Sequence, residues 1–81
     1  MGQSKPFGSV EPELDFFSLA VSYACGRRVE TDLVEAHKWF NIAALRGDVE
    51  AARRRQEIAA EMSAADIASA QRRAREWLVA H

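Results

Sequence analysis

Few side chains in this chain could do chemistry. Cys25, Asp32 and His37 supply a thiol, a carboxylate and an imidazole within one short stretch. Nucleophilic catalysis needs a base in reach of the nucleophile, a third group to orient that base, and donors for the developing oxyanion. The spacing instead puts Cys25 at a helix end, Asp32 at a helix cap and His37 on a helix face, with no oxyanion-holding loop or serine elbow nearby. No catalytic residue is assigned, and the chain reads as a non-enzyme. His37 and His81 are the only histidines, and neither has a His or Cys three or four residues away, as a zinc site wants. Glu35 is an ordinary neighbour, so no metal and no cofactor are expected. Cys25 is expected to be a small, semi-buried side chain beside Gly26.

Arginine is the remaining candidate. Arg53, Arg54 and Arg55 with Arg72, Arg73 and Arg75 form the one basic concentration. Three consecutive arginines fan across about 200° of a helix, so they cannot all face one strip of phosphates. Arg55 falls between Ala51 and Ile58 in the apolar row and is expected to be half-buried. A guanidinium there needs a partner, a carboxylate such as Glu35 or Asp66 or carbonyls at a helix end. The other arginines read as a solvated face with Glu57, Glu61 and Glu76 interspersed.

The elements that must position these residues read as helices. Residues 1–10 are polar, with Gly2, Pro6, Gly8 and Ser9, and read as a flexible N-terminal arm. Met1-Gly2 with Ser4 touches on a myristoylation pattern, but Pro6 stands where that pattern wants Ser or Thr. The first helix is expected to open at Pro12, with Glu11, Glu13 and Asp15 at the positive end of its dipole. Its apolar stripe of Leu14, Phe17, Val21 and Ala24 is flanked by Phe16, Ala20 and Tyr23, a face wider than one neighbour needs. Gly26 ends it in the left-handed conformation. Asp32 caps the second helix, with Glu35 completing a capping box, and Gly47 stops it after Arg46. Asp48 caps a third helix from Val49 to about Glu61. Ser63 caps a fourth from Ala64 to about Val79, with Asp66 as a short-armed box partner and a stripe of Ile67, Ala70, Ala74, Trp77 and Leu78.

Composition sets the outer bounds. Eighty-one residues make one domain, near the size at which a single core barely suffices. The net charge of −1 gives no general attraction to nucleic acid or anionic membrane. It is unevenly spread: residues 1–52 hold five Lys/Arg against eight Asp/Glu, and residues 53–81 hold six against four. One cysteine excludes an intramolecular disulfide, which suits a reducing cytoplasmic setting. No apolar run approaches a membrane span, and no secretory signal pattern opens the chain.

Within residues 19–47, the series Leu19, Tyr23, Gly26, Val29, Asp32, Ala36, Trp39, Phe40, Ala43, Ala44 and Gly47 resembles the Sel1-like repeat family, an α-solenoid class close to the tetratricopeptide repeats. Two positions depart from the pattern. Ala20 stands where glycine is usual, and Arg28 replaces the second turn glycine. From Asp48 onward the register also fails, because Arg55 and Gln56 fall where Leu and a small residue belong. The end of the chain looks like the segments that follow Sel1-like repeats in some bacterial proteins.

The resemblance implies an all-α fold of two antiparallel helical hairpins, a short α-solenoid fragment in which residues 11–81 form one domain. Residues 11–47 would be one repeat and 48–81 a C-terminal capping hairpin. Roughly three repeats are usually needed for independent stability, so the cap substitutes for missing repeats, the domain self-associates, or the chain is a fragment. Such repeats bind other proteins, which makes the implied function a scaffold or adaptor holding a protein or peptide in a helical groove. Phe16, Phe17, Tyr23, Lys38, Trp39 and Asn41 are the candidate groove residues, with Trp39 and Phe40 also expected to fill the core. The alternative is a small regulatory nucleic-acid binder using the Arg-rich C-terminal helix.

Overall fold

The computed structural model describes residues 15–27 and 29–81. The expected arm at 1–10, the Pro12 start and the Arg28 turn position lie outside them. Four helices follow in order: α1 (Phe16–Cys25), α2 (Leu33–Leu45), α3 (Val49–Ala59) and α4 (Ala64–Ala80). The described residues contain no strand, so the class is all-α.

Each helix begins on a side chain that accepts from the N–H three residues ahead: Asp15 from Ser18, Asp32 from Glu35, Asp48 from Ala51 and Ser63 from Asp66. A cap of this kind contributes about 1 kcal/mol, so four matter in a small domain. Two expectations need correction. Asp15 does not sit in the first turn of α1; it is extended, and its carboxylate takes both the N–H and the hydroxyl of Ser18, which makes Phe16 the first helical residue. The capping box at α2 also closes only halfway. The Asp32 N–H already donates to the carbonyl of Tyr23 at 3.0 Å, leaving the Glu35 carboxylate free to turn elsewhere.

Gly26 ends α1 at φ 73°, and its N–H donates to the Ser22 carbonyl. A β-carbon there would stand 2.6 Å from Thr31 Oγ1, so both conformation and space call for glycine. Gly47, at φ 103°, follows α2 in the same way.

Contacts fix the directions. Phe16 and Phe17 at the start of α1 meet Trp39 and Phe40 well along α2, while Tyr23 near its end meets Asp32, so α1 and α2 are antiparallel. Glu35 pairs with Arg73 and Trp39 with Trp77, so α4 runs alongside α2 in the same sense. Helix α2 packs against α1, α3 and α4 alike, whereas α3 and α4 barely touch each other. The second hairpin is therefore held together through α2 rather than by an interface of its own.

The core follows from small residues that let helices approach. Ala20, Ala36, Ala43, Ala51 and Ala74 are buried on the four helices, around Trp39, Phe40 and Ile42 of α2. Phe40 and Ile42 are the largest fully buried side chains. Most of the broad apolar face of α1 is only half-buried, with Ala20 its one buried member. No helix among the described residues is long and apolar enough to cross a membrane.

Candidate functional site

One face of α2 is closed by aromatic rings. Trp39 stacks on Phe16 with centroids 5.6 Å apart and meets Trp77 edge-on at 5.4 Å; Phe17 meets Phe40 edge-on at 5.5 Å. Glu35 is the polar clasp of this face. Its carboxylate accepts from Trp39 Nε1 at 3.2 Å and Arg73 Nη1 at 2.8 Å, and pairs with Lys38 Nζ at 3.0 Å. The residue expected to finish a helix cap instead satisfies a buried indole and ties α4 to α2.

Another face of α2 is unfinished. Because α3 and α4 stand apart, a cleft of about 430 Å³ opens between them with α2 as its floor, lined by His37, Asn41, Arg55, Gln56, Ala59, Ile67 and Gln71. His37 and Asn41 are one helical turn apart on α2, as Ile67 and Gln71 are on α4, so the walls follow from ordinary helical spacing. His37 is only 3 % exposed, yet its Nδ1 has no hydrogen-bond partner among the described residues. Burial, and then the positive Arg55, hold its pKa below the ordinary 6.5, so at neutral pH the imidazole is uncharged.

Arg55 is half-buried, as the apolar row predicts, but its partner is neither Glu35 nor Asp66. It donates from Nη1 to Asn41 Oδ1 at 2.6 Å and forms no ion pair among the described residues. The reason is positional: Glu35 is taken by Arg73 and Lys38 on another side of α2, and Asp66 is exposed at the start of α4. A buried-side guanidinium satisfied by a neutral amide keeps its full charge and most of its donors.

The six candidate groove residues do not share one surface. Phe16 and Trp39 belong to the aromatic face, and Trp39 is 8 % exposed. Lys38 lies over the Trp39 ring at 4.2 Å. Phe17 packs between Phe40 and the Arg54 guanidinium, and half-buried Tyr23 accepts the turn-closing bond from Asp32. Asn41 alone lies in the cleft. Sequence reasoning left out His37, Gln56 and Gln71 as cleft residues.

Cys25 is exposed rather than semi-buried, because the α1 end projects it over the turn beside Gly26, Val29, Glu30 and Thr31. Among the described residues no cluster of His, Cys, Asp and Glu could hold a metal ion. The arginines outside the cleft are mostly engaged: Arg53 with Glu50 and Glu57, Arg54 with Glu50, Arg72 with Glu76 and Arg73 with Glu35. No protein-family model matches the chain, and neither a curated protein nor a solved structure does.

Proposed function

We propose that this chain is a non-catalytic interaction module, a short Sel1-like scaffold or adaptor that holds a protein or peptide through the groove floored by α2. The cleft between α3 and α4 carries the reading. It is a concave, partly apolar site with a few convergent polar groups, which is how ligand sites differ from plain surface. Asn41 joins the groove directly, while Phe16, Phe17, Tyr23 and Trp39 join α1 to α2 behind it and Lys38 stays on α2 with Glu35 and Trp39. A cytoplasmic setting fits a chain whose single cysteine is free, and a bacterial source would follow from the Sel1-like resemblance. Self-association is the other use of its surface, since Leu45 and Val49 stand exposed near one turn.

The rival nucleic-acid reading uses α4, where Arg72, Arg73 and Arg75 are exposed. Two of these three are already paired with carboxylates, which weakens it. Affinity capture with the parent chain, with Ala59→Trp filling the cleft, and with Arg72→Glu/Arg75→Glu tests both. The expected result is a protein captured despite nuclease and raised salt, lost with Ala59→Trp and kept with the arginine variant. Capture that disappears with nuclease and with the arginine variant would overturn the adaptor reading.

A further inference from the structure

We propose that the α3–α4 cleft binds a single carboxylate group, clamped by Arg55 with His37, Asn41, Gln56 and Gln71 around it. The inference rests on the interaction reading above and names the chemistry of its anchor. Among the described residues no carboxylate neutralises the Arg55 charge, and the one side-chain hydrogen bond of Arg55 runs from Nη1 to Asn41. The other guanidinium N–H groups form the kind of planar fork that matches a two-oxygen acceptor. Beside it His37 lines the same cleft, 3 % exposed, with its Nδ1 buried and without a partner among the described residues. Gln56 and Gln71 add amide donors from the two walls.

Charge selects the ligand class. The cleft has one full positive charge, a neutral imidazole and neutral amides, with no acidic residue among its lining. A cation would face Arg55 with no carboxylate to hold it. A phosphate dianion would leave one negative charge uncompensated in a half-buried site. One carboxylate matches one guanidinium. Ala59 and Ile67 give the carbon adjoining that carboxylate an apolar wall, and about 430 Å³ is room for more than a lone ion.

The test is a heteronuclear NMR titration of the full chain, following side-chain resonances of Arg55, His37, Gln56 and Gln71. Acetate represents a free small acid, N-acetyl-Ala-Ala a chain terminus and N-acetyl-Asp-amide a side-chain carboxylate. The amide of N-acetyl-Ala-Ala and inorganic phosphate are the contrasts. The expected result is saturable shifts confined to the cleft with at least one carboxylate probe, whose tightest member identifies the source. The amidated twin should leave the spectrum unchanged. Arg55→Gln should weaken binding by about tenfold or more, the loss of a charge-assisted fork. Gln71→Leu, at an exposed wall position, should weaken it less and keeps the test decisive if Arg55→Gln does not fold. Equal binding of the amide, tighter binding of phosphate, or no saturable shift would overturn the inference. Should all carboxylates fail while Ala59→Trp still abolishes protein capture, the carboxylate anchor falls and the interaction reading stands. If Ala59→Trp leaves capture intact, it is the interaction reading that falls.

Discussion

Two faces of α2 meet the same problem in opposite ways. On the aromatic face the Trp39 indole donates to Glu35, and Glu35 is matched by Lys38 and Arg73. On the cleft face His37 has an orphaned nitrogen and Arg55 rests against a neutral amide. The first face is organised for stability. The second leaves stabilisation unrealised, as the proposed ligand site requires.

The contrast can be broken most severely at Phe40. Phe40→Ala removes a ring that is 1 % exposed and should cost about 3–5 kcal/mol, enough to unfold a small domain. Urea denaturation followed by far-UV circular dichroism measures it. A loss below about 1 kcal/mol would mean the aromatic face is not the structural one. Next comes Glu35→Ala, which strands the Trp39 N–H and releases α4. It should cost about 1–3 kcal/mol, more than any single cap.

Titration sharpens the other side. The folded pKa of His37 lies below its ordinary 6.5, so its contribution to stability is complete above that value and is lost as pH falls through 6.5 toward the folded pKa. Urea midpoints should therefore drop as pH is lowered from 7 to 5 (an interval of about two units, with a slope of at most ~1.4 kcal/mol per unit from one group). His37→Gln should flatten that slope. The smallest effect is expected from Arg53→Ala. Arg53 bonds Glu50 and Glu57, yet all three side chains are well exposed, and stability should change by about 0.5 kcal/mol or less.

Legibility differed between the faces for a physical reason. Caps are local: Asp32, Asp48 and Ser63 each act on an N–H three residues away, so their positions were readable from sequence. The exception was Asp15, where Pro12, suited to a first helical position, suggested an earlier start. Trp39 and Phe40, the bulky residues of the second helix, were likewise expected in the interior, and both are buried. What sequence did not supply was the competition for partners across helices. Glu35 reads as a capping residue until Tyr23 takes the Asp32 N–H and Arg73 arrives from α4. Arg55 reads as the partner of a carboxylate or of helix-end carbonyls until Asn41 of α2 proves to hold it. The cleft depends on α3 and α4 standing apart, a feature of three-body packing to which no residue pattern points directly.

The most direct measurement is the urea midpoint of a variant whose cleft floor is made apolar, His37→Leu/Asn41→Leu/Arg55→Met, compared with the parent chain. Replacing imperfectly paired buried polar groups with apolar side chains of similar size is commonly neutral or stabilising. The expected result is a midpoint equal to or above that of the parent, together with loss of saturable carboxylate binding. A midpoint lowered as far as Phe40→Ala lowers it would show that the polar cleft is structural, and would contradict the assignment of that face to a ligand.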